Sequence, residues 1–240
     1  MGEEAATGVI ADAFTWRTFG RAFRFMADNP GLLLDKTAQQ VELSAAAIGI
    51  AIAIALPLGV WLGHLHRGSF VAISVSNLGR ALPSLVLIAF GILVFGIGFW
   101  NNAAALVVLA VPPILTNAYF AVDQVDESVV EAARGMGMRR RDVLLRVELP
   151  LALPLVFAGI RIGTVFVVAT ATIAAIAGGG GLGDVIVNQA TYRLEGVVAA
   201  ALWVSALALG AAGLLALAQR ALTPAGLRRE RGSGRTGAAL

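Results

Sequence analysis

The sequence predicts an all-α membrane protein, and three observations support this. Hydrophobic residues make up 58% of the 240 residues and charged residues only 14%, whereas a soluble domain carries about 25% charged residues. Uncharged runs recur along the chain, each long enough for a helix to cross a hydrocarbon core of about 30 Å. Only one long charged stretch, residues 123–148, interrupts these runs before the C-terminal tail.

The uncharged runs place five spans. The first covers residues 43–62, and an uncharged run of 42 residues, 81–122, holds two helices with a turn at residues 96–102. The later spans cover residues 149–177 and 196–219. Residues 69–78 are apolar but too few for a span. If they form a helix of their own before Pro83, the count rises to six.

The first 38 residues and the last 18 lie outside this membrane domain, which we place at residues 39–222. Large apolar residues between 14 and 26 alternate with Arg17, Arg21 and Arg24. This pattern predicts an amphipathic segment at the membrane surface, with a packed or frayed leader as the alternative. Residues 1–28 begin with acids and lack the apolar run of a cleavable signal. The basic tail, residues 223–240, is predicted to be disordered.

The distribution of arginine predicts the orientation. Residues 123–148 carry five Arg, and the chain from residue 220 onwards carries five more. Because Arg and Lys are retained on the cytoplasmic side, both segments are predicted to be cytoplasmic in a multi-pass protein of the cell membrane. Three spans before the loop then place the N-terminus outside. The basic residues near Arg17 argue against this, although several acids accompany them.

Several kinds of chemistry are excluded by the sequence. The chain has no Cys, which excludes disulfides and thiolate chemistry. Its single Lys, Lys36, follows Asp35, so no phosphate-binding Gly-Lys-Ser/Thr motif exists. His64 and His66 are predicted to be interfacial, and no third His is present to complete a metal site. The basic residues form no stripe interleaved with aromatics, which argues against nucleic acid.

The glycine run 178–183 matches the spacing G-x-G-x-x-G. That pattern indicates a dinucleotide site only between a strand and a helix, and here it follows a predicted span. The spans contain no Asp or Glu after Glu42, which argues against the ion-coupled chemistry of a secondary transporter.

The charged loop has a local pattern of its own. Ser128 to Glu131 fits a capping box with Ser128 as the N-cap, and the helix is predicted to end at Gly135 and Gly137. Ala132 and Ala133 are predicted to leave a shallow surface for a partner. Residues 139–147 form a second amphipathic piece before the next span.

The spacing of six loop residues resembles the cytoplasmic loop of ABC importer permeases; they are Glu131, Ala132, Ala133, Gly137, Leu149 and Pro150. The resemblance implies the type I ABC importer permease fold, with a short cytoplasmic coupling helix that docks on a separate ATPase. An ordinary solvated loop with helix propensity is the alternative.

Residues 40–220 also resemble the osmoprotectant branch of these permeases, in the stretches 80–84, 112–117, 122–154, 158–161, 170–172 and 179–184. This resemblance implies import of glycine betaine, choline, carnitine or related quaternary amines. The glycine-rich stretch is shared with methionine permeases, so a methionine or sulfonate permease is the alternative, and a secondary transporter is a distant one.

The resemblance also implies the partners and cofactors. These are two ABC ATPase subunits that use ATP and Mg²⁺, an extracytoplasmic substrate-binding protein, a second permease subunit (the same chain or a paralogue) and membrane lipid. The chain itself is expected to bind no cofactor and to have no enzymatic activity.

Residues that could line a pathway or gate are polar groups and glycines within or beside the spans, namely Arg161, Thr116, Asn117, Thr170, Thr172, Gly179, Gly180, Gly181, Gly183 and Asp184. Each hydroxyl or amide could equally bond its own helix backbone. The glycines could form a flexible gate or a close-packed turn. The pairs Gly59/Gly63 and Gly159/Gly163 have the spacing that permits close helix packing.

Overall fold

The structure, a computed structural model, describes residues 16–223. Those residues are almost entirely helical and contain no strand. The N-terminal half consists of α1 (Trp16–Asp28), α2 (Pro30–His64), α3 (Ser69–Ala81), α4 (Ser84–Phe95) and α5 (Phe99–Asp123).

The C-terminal half begins with the charged loop, which folds into α6 (Glu127–Gly135) and α7 (Arg140–Val143). A π-helical turn (Leu144–Glu148) joins α7 to α8 (Leu149–Thr170). A 3₁₀ turn (Ile173–Ala177), α9 (Gly183–Val187) and α10 (Gln189–Leu222) follow. Arg193, at φ 56°, interrupts α10 near its start.

Four helical segments are long and apolar enough to cross a membrane: α2, α5, Arg140–Thr170 and α10. They occupy the positions of four predicted spans. The helix at the second predicted span, α4, has 12 residues. At 1.5 Å per residue it is roughly 18 Å long, shorter than a bilayer core. Residues 69–81 do form a separate helix, α3, which the break at Leu82 and Pro83 separates from α4.

Two boundaries differ from those predicted. Helix α2 begins at Pro30 and continues through residue 38, so the predicted limit between leader and membrane domain falls within a helix. Proline is favoured in a first helical turn because its missing N–H has no partner there. The turn after α4 is shorter than predicted, because α5 begins at Phe99 and includes Asn101 and Asn102. Residues 1–15 and 224–240, with most of the predicted tail, lie outside the described residues.

The chain divides into two compact units. Among the described residues, the first comprises 16–47, 83–106 and 166–209. One of its cores joins Leu33, Leu182 and Val204, and another joins Ile88, Ala105 and Ala177. Helix α1 belongs to this unit, with the Phe25 ring edge-on to Tyr192 at 6.4 Å between centroids. Trp16 and Phe23 on α1 are exposed, which fits the predicted amphipathic helix, while its interfacial placement remains a prediction.

The second unit comprises, among the described residues, 48–82, 107–165 and 210–223. Glycines allow two helices to pack closely against α5. A β-carbon at Gly63 would lie 2.6 Å from the carbonyl oxygen of Tyr119, and one at Gly159 would lie 2.5 Å from the β-carbon of Asn117. Because no larger residue fits at these distances without a shift, each glycine pair supplies at least one close helix contact of the kind predicted.

Candidate functional site

The charged loop between α5 and α8 forms a helical hairpin of α6, α7 and the π-helical turn. Its N-terminal cap is Asp126, not Ser128. The Asp126 carboxylate accepts hydrogen bonds from the Ser128 hydroxyl at 2.8 Å and the Ser128 backbone N–H at 2.9 Å, and these lower the pKa of Asp126. The predicted capping box is therefore wrong, because the helix begins two residues earlier with a carboxylate available as cap.

Helix α6 ends in a Schellman motif centred on Gly137. The backbone N–H of Met138 donates to Ala133 O, and that of Gly137 donates to Arg134 O. Gly137 has φ 83°, in the left-handed region that glycine tolerates best. No atom lies within 4 Å of the position that a β-carbon would occupy there. The predicted end of the helix is thus confirmed, and Gly137 is required for its backbone angle rather than for space.

A small apolar core holds the hairpin together. Val130 and Ala133 of α6 pack with Val143 of α7, and all three are almost fully buried. Three partly buried side chains surround them: Val125, Met138 and Val147. Ala133 is therefore part of the core, and the prediction that it lies at the surface beside Ala132 is wrong.

Exposed apolar groups lie on α6 beside this core. Val129, Ala132 and Met136 are spaced by three and four residues, which places them on one side of α6 and its end. Val129 is 42% exposed and Met136 is 77% exposed. We call these three residues the exposed face. Glu131 beside it is also exposed, so the face combines apolar contact area with charge.

Leu149 and Pro150 begin α8 at the place predicted. The π-helical turn directly precedes them, and the Leu149 N–H donates to Leu144 O. Proline has no N–H to donate and its ring crowds the carbonyl four residues earlier. A wider turn before Pro150 is the expected local response.

The glycine-rich turn belongs to the first unit. Gly178, Gly180 and Gly181 have φ between 67° and 78°. The backbone N–H of Gly181 donates to Gln39 Oε1 at 3.0 Å. A β-carbon would lie 2.7 Å from Ala174 O at Gly179, and one at Gly183 would clash with Thr172 O.

An ion pair fastens this turn to α2. Lys36 Nζ lies 2.6 Å from Asp184 Oδ2, and both side chains are about three-quarters buried or more. Sequence reasoning missed this partner because the two residues are 148 positions apart. The turn is therefore closely packed in this structure, and its role as a gate remains a prediction.

The polar residues predicted along a pathway mostly bond backbone. Thr116 donates to Ala72 O on α3 at 3.2 Å, Asn117 to Pro113 O at 2.8 Å and Thr172 to Ala169 O at 2.6 Å. Thr170 is buried. Arg161 is half-buried and has no hydrogen-bond or ion-pair partner among residues 16–223. It is the pathway candidate whose side chain stays available for another molecule.

Two further pairs were not predicted from the sequence. His64 Nδ1 lies 2.6 Å from Glu148 Oε2, and His66 Nδ1 lies 3.1 Å from Asp123 Oδ1. Both acids stand at the ends of the hairpin. Within the described part of the chain, no group of three His, Asp or Glu side chains is placed to hold a metal ion.

Comparisons with known proteins cover most of the chain. Residues 33–228 match the sequence profile of the family described as binding-protein-dependent transport system inner membrane component. The choline transport system permease protein OpuBB of Bacillus subtilis is 38% identical over 86% of this chain and 95% of its own. The glycine betaine/carnitine/choline transport system permease protein OpuCB of the same organism is 37% identical over 85% of this chain and 94% of its own.

Among solved structures, a chain of the MetNI methionine ABC transporter in an inward-facing conformation resembles this one, with a TM-score of 0.70. The match covers 80% of this chain and 97% of that chain at 23% identity. At that identity the likeness shows the fold alone.

Proposed function

We propose that this chain, which belongs to the family of binding-protein-dependent transport system inner membrane components, is the permease subunit of an ATP-driven importer for osmoprotectants of the quaternary amine class. The observation that carries the substrate class is its 37–38% identity with two permeases of choline and related compounds over almost the whole of both chains. The four long apolar helices, together with the shorter α4 at the second predicted span, provide the proposed membrane-crossing part.

The hairpin between α5 and α8 is the proposed contact with the ATPase. Its apolar core fixes α6, while Val129, Ala132 and Met136 remain exposed beside it. An exposed apolar face on an otherwise charged loop is typical of a surface that another protein covers. We therefore assign docking to the exposed face and Glu131, and shape to Ala133, Gly137 and the Leu149-Pro150 junction.

The importer contains further subunits. We propose that two ATPase subunits bind and hydrolyse ATP with Mg²⁺, as the resemblance to ABC importer permeases implies. The only Lys of this chain, Lys36, lies in no phosphate-binding Gly-Lys-Ser/Thr motif. The second permease subunit is either a copy of this chain or a paralogue. An extracytoplasmic binding protein delivers the substrate. The arginine distribution supports a cytoplasmic hairpin and C-terminus, and three crossings before the hairpin, by α2, α4 and α5, would put the N-terminus outside.

Selectivity is assigned mainly to the binding protein. Quaternary amines are recognised by aromatic cages through cation–π attraction. Aromatic residues in the apolar helices are few and scattered along the sequence. The permease then supplies a passage, for which Arg161 and the glycine-rich turn with Asp184 are the candidate contacts.

Reconstitution of the complete importer in liposomes tests this proposal. Uptake of radiolabelled choline, glycine betaine and carnitine is measured with ATP supplied on the side of the liposome membrane where the ATPase subunits lie. Methionine serves as the comparison substrate. We expect ATP-dependent uptake of at least one quaternary amine and none of methionine. Uptake of methionine alone would overturn the substrate class, and absence of any stimulation of the ATPase by this subunit would overturn the assignment as permease.

A further inference from the structure

Two histidines at the C-terminal end of α2 hold the two ends of the hairpin. Asp123 is the last residue of α5 and Glu148 is the last residue before α8. His64 contacts Glu148 at 2.6 Å and His66 contacts Asp123 at 3.1 Å. Both ends of the hairpin therefore contact the same short segment, the C-terminal end of α2 and the turn that follows it. This segment is distant from the hairpin in sequence.

Glu148 depends on His64. Its side chain is 1% exposed, and that of His64 is 12% exposed. The second carboxylate oxygen, Oε1, is buried without a hydrogen-bond partner in the structure. A buried carboxyl group is unfavourable unless it is paired, so the contact with His64 is what makes Glu148 acceptable at this position.

His66 occupies a backbone position that favours glycine. The N–H of Arg67 donates to Leu62 O and that of His66 donates to Gly63 O, which is the Schellman pattern found at the end of α6. His66 has φ 49°, and it occupies the same position at the end of α2 that Gly137 occupies at the end of α6. A side chain in the left-handed region is strained, and such strain persists where the side chain is useful. Here the side chain meets Asp123.

Helix α2 is also closely packed against α5. A β-carbon at Gly59 would lie 2.7 Å from Leu115 O, and one at Gly63 would lie 2.6 Å from Tyr119 O. The two helices therefore cannot slide past each other freely in this region. A displacement of the hairpin at Asp123 is passed to α2 through both the glycine contacts and the histidines.

We infer that His64 and His66 are positioning residues of the importer, which fasten both ends of the ATPase-docking hairpin to α2 so that movement of the hairpin moves this helix. The inference rests on the proposed function for the role of the hairpin. It assigns a role in energy coupling to two residues that touch neither nucleotide nor substrate.

The test uses the complete importer in liposomes and compares radiolabelled choline uptake with ATP hydrolysis. His64→Ala removes the buried contact, and we expect uptake per ATP to fall at least about tenfold, since leaving a buried hydrogen-bonding group such as the Glu148 carboxyl without its partner is costly. His66→Gly relieves the backbone but removes the exposed contact, and we expect a loss of about two- to fivefold. His64→Asn keeps a donor near the Nδ1 position and should restore part of the coupling.

Arg67→Gln is the matched control. Arg67 lies in the same turn and is exposed, and no ion pair joins it to another residue between 16 and 223. Substrate uptake per ATP hydrolysed by the Arg67→Gln importer should equal that of the unaltered importer. A merely structural role of the histidines would lower uptake and ATP hydrolysis together and leave their ratio unchanged, and this result would overturn the inference. If His64→Ala does not assemble, His66→Gly decides, because it relieves backbone strain.

A second measurement needs no substrate. The chain has no native Cys, so spin labels can be placed at Trp61→Cys on α2 and Leu145→Cys on the π-helical turn of the hairpin, both exposed and outside the docking face. With the histidines intact we expect one narrow distance distribution with and without ATP, and a broadened distribution in His66→Gly. An equally narrow distribution in that variant would overturn the inference. If the unaltered importer takes up no quaternary amine, the substrate proposal fails, and the label distances still decide the inference.

Discussion

Replacing Gly137 tests how the end of α6 supports coupling. In the left-handed region an L-residue costs about 1–2 kcal/mol relative to glycine. At φ 83°, and with no atom within 4 Å of a β-carbon, this backbone cost is the whole cost of Gly137→Ala. It corresponds to a factor of roughly 5–30 in the equilibrium of the local turn. Asn tolerates this region better, so Gly137→Asn should be milder.

We expect uptake to fall in the order Gly, Asn, Ala and Phe at position 137, and Gly137→Phe to abolish uptake with normal membrane insertion, since its ring also stands beside the exposed face. Uptake per ATP in liposomes and amide exchange at residues 136–138 are the measurements. Gly135→Ala is the control, because Gly135 lies within α6 with open space around it. Unimpaired uptake by Gly137→Ala would refute the backbone argument, and full transport by Gly137→Phe would refute the role of the hairpin in coupling.

Three further predictions follow from individual residues. A single Cys at Asn188 should react with an impermeant thiol reagent in intact cells and one at Arg140 should not, both positions being exposed; the reverse would overturn the orientation. Because folding lowers the pKa of Asp126, its cap stabilises α6 above the ordinary Asp pKa of about 4 and is lost as the pH falls through the lowered value. Amide protection in α6 should therefore drop there, with a smaller drop in Asp126→Asn. Gly63→Leu should lower the yield of folded protein, whereas Gly49→Leu, where no atom lies within 4 Å, should not.

The sequence was sufficient for the features that depend on local pattern. The four long apolar helices lie where uncharged runs predicted them, and Gly137 ends α6 as its spacing indicated. The start of α2 was missed because hydropathy alone does not register the polar turns around Lys36 and Gln40. Pro30, a favoured residue at a helix start, was the signal that could have located it.

Contacts between distant residues could not be predicted from the sequence. His64 and Glu148 are 84 residues apart, and no periodicity relates them. A general argument was available, since an acid directly before a membrane helix must find a partner if it is buried. The burial itself is a property of the folded hairpin. The same holds for the N-cap, where Asp126 and Ser128 were both suitable and the fold uses the first.

Glycine substitution cannot distinguish a moving gate from a packed turn in the glycine-rich segment, so a different experiment is needed. Alanine at Gly180 would place its β-carbon 2.6 Å from Gln39 Oε1, so it would disturb the turn whether or not the turn moves. Lys36→Met instead removes the 2.6 Å pair with Asp184 and leaves the glycines intact. If the turn is a gate that this pair holds closed, ATP hydrolysis without binding protein should rise by up to about fivefold, for a pair worth up to about 1 kcal/mol. Lys36→Arg, which keeps the charge, should not show this rise. An unchanged dependence on binding protein in Lys36→Met would mean that the glycines serve packing alone.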